Sequence, residues 1–104
     1  MTLYKPINVG TVYDSLERAR ARAISHANSN EFYGYTREYI DVLKKGARGQ
    51  TAQQLGYVAV KKGTVRGQRH YLWVSGKKSD WRILDKSGRV IRKPTKADRE
   101  FWGI

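Results

Sequence analysis

The second half of the chain consists of short β-rich runs separated by turns that contain glycine. The runs cover 57–62, 69–75, 81–84 and 89–92, and the connections read KGTVRG, GKKS and DKSG. Connections this short join antiparallel neighbours, because a parallel crossover needs a dozen or more residues. Asp85 and Gly88 occupy the first and fourth positions of the clearest turn, which is their preferred placement in a type I turn. The pattern predicts an antiparallel meander.

A helical period precedes this meander. Apolar residues recur every three or four positions, at Leu16, Ala19, Ala23 and Ala27. This spacing predicts an amphipathic helix over 13–28, with Asp14 and Glu17 forming a variant capping box at its start. Its buried face is mostly alanine, which permits a close approach to a sheet.

The remaining N-terminal segments are assigned from local signals. Residues 3–9 suit a short strand, which Pro6 restricts to an edge or a bulge. Residues 36–45 favour a second helix capped by Thr36, although the Tyr, Ile and Val residues of 35–43 also suit a strand. Residues 46–54, with two glycines and no large apolar side chain, predict a mobile loop.

The C-terminus carries a second capping box, formed by Thr95 and Asp98. It predicts a short helical turn whose Phe101 and Trp102 cover an edge of the core. Together, the predicted helices and strands indicate an α+β fold in a single domain, 1–104. One or two helices pack on a three- to four-stranded antiparallel meander sheet. In this interpretation 1–55 is a mainly helical scaffold and 56–104 is the basic meander.

Charge is the strongest functional signal. The 104 residues include 21 Lys and Arg against 9 Asp and Glu, a net charge of +12. Residues 1–55 contribute +3 and residues 56–104 contribute +9. Self-repulsion of this size opposes compaction, so a polyanionic partner is expected, with nucleic acid the commonest and an acidic protein surface the next candidate.

Composition excludes several classes of protein and site. The chain has no cysteine, which excludes disulfides and cysteine-ligated metals, and no motif points to a cofactor. It has no apolar run of the roughly 20 residues that span a bilayer and no secretory signal pattern. We therefore expect a cytoplasmic protein with no membrane partner, and an exposed sheet edge would permit a homodimer.

The run 69–75 defines the candidate binding face. Arg69, Tyr71 and Trp73 share one face of this strand, while Leu72 and Val74 share the other, which we expect the helix to cover. Aromatic rings beside cations suit base stacking and phosphate contact. In the alternative interpretation, Tyr71 and Trp73 cover a second small core formed with Phe101 and Trp102.

These patterns predict a non-enzymatic DNA- or RNA-binding protein that is largely sequence-nonspecific. Basic turns beside glycine add to the face, since glycine lets a backbone approach a phosphate closely. The candidate nucleic-acid-binding residues are Lys61, Lys62, Arg66, Arg69, Tyr71, Trp73, Lys77, Lys78, Arg82 and Arg89.

Two alternatives stay open. The stretch from Leu43 to Val74 resembles the small HicA mRNA-interferase toxins, in which a helix, a glycine-containing turn and a strand precede a catalytic histidine. The resemblance implies that His70 is that residue, although the paired Ser-His-His usual in the family is Gln68-Arg69-His70 in this chain. The second alternative is a phage-type accessory protein that binds and inhibits a host nucleic-acid-processing or defence protein in the host cytoplasm.

Overall fold

The computed structural model describes residues 2–104, which form a six-stranded antiparallel sheet with a helix on each face. The strands lie in sequence order, each beside the next along the chain. The elements are β1 (Thr2–Pro6), α1 (Leu16–Ser29), β2 (Tyr35–Gly46), β3 (Gly49–Lys62), β4 (Arg69–Val74), β5 (Arg82–Leu84), β6 (Val90–Arg92) and α2 (Lys96–Trp102).

The α+β class and the antiparallel meander are confirmed, but the sheet has six strands, more than the three or four predicted. All four β-rich runs form strands, and β1 is an edge strand that ends at Pro6. The capping box at Thr95 is present, since its hydroxyl accepts from the Asp98 backbone N–H while the Asp98 carboxylate accepts from the Thr95 N–H. At the start of α1, Ser15 caps the helix by accepting from the Arg18 N–H, so the prediction of Asp14 as the cap is wrong.

The predicted second helix is wrong, because its residues form the central part of β2. This strand pairs with β1 on one side and β3 on the other. Its side chains alternate, with Ile40 in the core beneath α1 and Arg37 on the opposite, exposed side. β3 pairs along the whole of β2 and β1 pairs with residues 40–44, and this tertiary pairing outweighs a marginal helix propensity.

The predicted loop at 46–54 is also wrong, because these residues lie in a long β2–β3 hairpin. Gly46 pairs with Gly49, so only Ala47 and Arg48 connect the strands. Gly49 has a φ of 106°, a backbone conformation that favours glycine. The hairpin extends beyond the reach of β1 and β4, and its residues 44–54 are exposed. We call this projecting segment the β-ribbon.

One face of the sheet is covered by α1. The helix contributes Ala19, Ala23, Ile24 and Ala27 to the main core cluster. The β5–β6 turn also approaches α1 closely, since a Cβ at Gly88 would lie 2.7 Å from the Glu17 carbonyl oxygen. The position of Gly88 therefore has no room for a side chain.

The opposite face is partly covered by α2. There Leu72, Ile83 and Ala59 form a second cluster, against which Trp81 and Trp102 pack. Because α2 has only seven residues, the part of this face on β1 and β2 stays uncovered. Within residues 2–104, no helix has the length and apolarity needed to cross a membrane.

Candidate nucleic-acid interface

The two aromatic residues of the predicted binding face are buried beneath α1. Tyr71 is 9% exposed and Trp73 is 6% exposed, and both belong to the main core. The Tyr71 hydroxyl accepts from Asn28 Nδ2 at 3.0 Å. The expectation that α1 covers the Leu72 and Val74 face is therefore wrong. The alanines of α1 leave space for large rings, whereas the smaller Leu72 packs beneath α2.

Three predicted cations lie near the β3–β4 turn. The Lys62 Nζ and the Arg69 Cζ lie 4.9 and 5.0 Å from the centroid of the Phe32 ring. Arg69 also donates to the side-chain oxygen of Asn28 at 2.9 Å. Arg66, in the turn itself, is exposed and has a φ of 55°. Phe32 thus holds two positive charges close together.

The other predicted cations lie elsewhere. Lys77 and Lys78 follow β4, at the end of that strand opposite to Arg69. Arg82, on β5, lies opposite Trp73, which is about 13 Å along β4 from Arg69. Lys61 projects from the α2 face, where it donates to the Phe101 carbonyl oxygen. Arg89 pairs with Glu17 of α1 at 3.3 Å. The predicted residues therefore do not form one continuous face.

A cation–aromatic group that the sequence interpretation missed lies on the uncovered part of the α2 face. The Arg37 guanidinium carbon lies 4.8 Å from the Tyr57 ring centroid and 5.6 Å from that of Tyr35. Arg37 Nε donates to the Tyr35 hydroxyl at 2.8 Å. Hydrogen bonding to Tyr39 and then Tyr35 raises the pKa of Arg37 above its ordinary value. Burial raises the pKa of the Tyr57 hydroxyl, which stays neutral.

Beside this group lies a cavity of about 330 Å³, which we call the aromatic cavity. Ala59 has the smallest side chain in its lining. The indole Nε1 of Trp81 is buried without a hydrogen-bond partner among the described residues. The cavity is lined by Tyr35, Arg37, Tyr57, Ala59, Leu72, Val74, Trp81, Trp102 and Ile104.

A second cavity of about 350 Å³ adjoins it, and we call it the basic cavity. Ile104 lines both cavities, so they meet at this residue. Of the three cations in the lining of the basic cavity, only Lys78 was among the predicted site residues. The basic cavity is lined by Lys78, Ser79, Lys93, Pro94, Arg99 and Ile104.

The β-ribbon was also missed, although the sequence carries a signal for it. No Asp or Glu occurs from Val42 to Ser79, whereas nine Lys and Arg residues do. Dividing the chain at residue 55 separated the ribbon's cations from the rest of this acid-free segment. The ribbon cations are Lys44, Lys45 and Arg48, and all three are exposed.

Both histidines make specific contacts. His26 Nδ1 lies 2.8 Å from Oε1 of the buried Glu38, whose Oε2 accepts from Asn8. The His70 ring lies 4.4 Å from the Phe101 ring. The helix that the HicA resemblance implies ahead of the strand is not found, because the chain there forms β2. A catalytic role for His70 stays a prediction.

Metal ligation finds no support in the described part of the chain, since residues 2–104 contain no group of three His, Asp or Glu side chains placed to hold an ion. No family model, curated protein or solved structure matches this sequence or its fold.

Proposed function

We propose that this protein is a non-enzymatic nucleic-acid-binding protein that recognises the phosphate backbone with little sequence preference. The observation that supports this most is how few of its cations are neutralised internally. Of the 21 Lys and Arg residues, three lie within 4.0 Å of a carboxylate oxygen of residues 2–104: Arg18, Arg89 and Arg92. Self-repulsion among the others is relieved when a polyanion binds.

The spread of these cations favours an extended polyanion. The molecule measures 49 × 29 × 18 Å, and its unpaired cations include groups on the β-ribbon, around Phe32 and after β4. A small anion or a local acidic patch would contact one of these places. A nucleic-acid strand, which carries a charge on every phosphate, contacts several at once.

Salt dependence of binding tests this proposal. Fluorescence anisotropy with labelled DNA and RNA, from about 50 to 200 mM salt, should show a steep loss of affinity. Six contacts to duplex phosphates give a slope of log K against log[salt] of about −5, from roughly −0.9 per contact. A flat response, or no binding at about 50 mM salt, contradicts the proposal.

A charge-matched pair of variants locates the interface. Lys44→Gln with Lys45→Gln removes two unpaired ribbon cations and should make the slope about 1.8 less steep, at roughly 0.9 for each contact. Arg18→Gln with Arg89→Gln removes the same charge from residues that already face carboxylates, and should leave the slope nearly unchanged. Equal effects of the two pairs would show that net charge, rather than the ribbon, determines binding.

Affinity purification from cells, with and without nuclease, separates this function from inhibition of a host protein. A nucleic-acid-binding protein loses its co-purifying proteins after nuclease treatment. Recovery of one stoichiometric protein after nuclease treatment would favour the protein partner instead. Cleavage of RNA that is abolished by His70→Ala would favour the ribonuclease.

A further inference from the structure

The aromatic cavity and the basic cavity adjoin in a way that matches the two halves of a nucleotide. One is bounded by the rings of Tyr57, Trp81 and Trp102, and the other by three cations, with Ile104 between them. Stacking rings bind bases and cations bind phosphates, and proteins that hold single strands combine the two.

The aromatic cavity owes its shape to unequal side chains. Ala59 lies on β3 between Tyr57 and Lys61 on the same face, and this short side chain, only 1% exposed, forms part of the inner wall of the cavity beside the larger rings. A volume of about 330 Å³ is at the lower end of the range of roughly 300–1,000 Å³ for small-molecule sites. The space therefore suits one planar ring system rather than an extended ligand.

The aromatic and basic cavities differ from two other cavities in the acidic side chains of their linings. No Asp or Glu side chain lines either the aromatic or the basic cavity. A cavity of about 750 Å³ is lined in part by Asp85 and Asp98, and the one beside Phe32 includes Glu31. Carboxylate side chains repel phosphate, which favours the adjoining pair over these two cavities as a place for a nucleotide.

We propose that the aromatic cavity binds an unpaired base of a single-stranded nucleic acid and that Lys78, Lys93 and Arg99 bind its phosphate. This inference rests on the proposed function and names its substrate class. In a duplex, both faces of each base are stacked against neighbouring bases, so only an unpaired base can enter. Arg37, held between Tyr35 and Tyr57, places a further cation at the cavity wall.

The first test compares two single strands of equal charge with the native protein. Oligothymidylate and an abasic strand of the same length have the same phosphates, and only the first has bases. Base–aromatic stacking is worth about 1–3 kcal/mol per base, so we expect the abasic strand to bind roughly 5- to 150-fold more weakly. Fluorescence anisotropy measures both affinities, and no variant is needed.

Two variants then test whether the preference for a strand with bases comes from the aromatic cavity. Ala59→Leu fills it, and Tyr57→Leu removes one of its rings. Each should bring oligothymidylate binding down to the abasic level while leaving abasic binding unchanged. Ala47→Leu, the same change as the first at an exposed position of the β-ribbon, is the matched control and should keep the preference for bases. Circular dichroism verifies that each variant folds.

A third comparison tests the phosphate contacts. Replacing Lys78, Lys93 and Arg99 together by Gln should reduce affinity for a single strand more than replacing Lys44, Lys45 and Arg48, which removes the same charge. A smaller or equal loss would overturn the assignment of the basic cavity.

The outcomes distinguish the two proposals. If the native protein binds both strands equally, with a steep salt dependence, the base cavity is wrong and backbone binding stands. If Ala59→Leu and Tyr57→Leu both fold and keep the preference for bases, the bases bind elsewhere. If neither strand binds at about 50 mM salt, the proposed function itself fails.

Discussion

Both faces of the sheet carry an arginine stacked on an aromatic ring, yet one pair is buried and the other is open to solvent. On the α1 face, the Arg20 guanidinium carbon lies 5.4 Å from the Trp73 ring centroid, and Nε donates to the Gly88 carbonyl oxygen at 2.9 Å. On the α2 face, the corresponding distance from Arg37 to Tyr57 is 4.8 Å. The local chemistry is similar, but the surroundings differ.

This difference separates a structural arginine from one available to a ligand. Burial lowers the pKa of Arg20, against the opposing effect of Glu17, whereas the hydroxyls of Tyr39 and Tyr35 raise that of Arg37. Arg20 bridges α1 to the β5–β6 turn and has no free surface for a phosphate. Arg37 is exposed and can make further hydrogen bonds. An arginine beside an aromatic ring is therefore not in itself a sign of nucleic-acid binding.

Removing the buried ring should give the largest effect. Trp73→Ala leaves a cavity beneath α1 and should lower the free energy of unfolding by about 3–5 kcal/mol. Tyr35→Ala, on the open face, should change it by no more than about 0.5 kcal/mol. Urea denaturation measures both. A Trp73→Ala protein of native stability that fails to bind nucleic acid would place Trp73 in the interface after all.

Exchanging Arg20 or Arg37 for lysine should affect different properties, stability in the first case and nucleic-acid binding in the second. Arg20→Lys cannot reproduce the hydrogen bond to Gly88, and should cost about 1–3 kcal/mol of unfolding free energy. Arg37→Lys should leave thermal stability unchanged and weaken binding of single strands a few-fold, since lysine lacks the planar group that stacks. If Arg37→Lys lowers the stability as much as Arg20→Lys does, Arg37 is a structural arginine too and the distinction between the two is wrong.

The smallest of these effects concerns how α2 is held on its face. Asp98 accepts two hydrogen bonds from Arg92, each 2.8 Å long, and one from the Thr95 backbone N–H. Asp98→Ala removes the cap and the ion pair and should cost about 1–2 kcal/mol. Glu100→Ala, an exposed position on the same helix, is the control and should change stability by no more than about 0.5 kcal/mol.

Acid should have the same effect as the Asp98 substitution. Hydrogen bonds from the Arg92 side chain, and then from the backbone N–H of Thr95, hold the pKa of Asp98 well below its usual range. A depressed pKa contributes stability that is complete above the ordinary carboxyl pKa of about 3.9 and is lost as the pH falls below it. Urea denaturation at neutral and acid pH should therefore give a larger loss for the native protein than for Asp98→Ala. Equal losses would mean that Asp98 does not contribute to the acid sensitivity.

Much of the fold was predictable because its signals are local. The turn at Asp85 and Gly88, the cap at Thr95 and the alanine period of α1 each depend on neighbours within a few residues. The helix predicted at 36–45 failed because aromatic and β-branched residues suit either state, and pairing with two distant strands decided between them. The β-ribbon was mistaken for a loop because polar strands lack the apolar alternation that marks a buried face.

The sequence by itself determined an excess of positive charge, an acid-free segment from Val42 to Ser79 and a meander of antiparallel strands. Only the tertiary structure decided which aromatic rings are free. Successive side chains of a strand point to opposite faces, which places Tyr71 and Trp73 on one side of β4. This pattern does not determine which side α1 covers. That choice depends on fitting large rings against the small alanines of a helix far away in the chain. It buries Tyr71 and Trp73 and leaves Tyr35, Arg37 and Tyr57 beside the aromatic cavity.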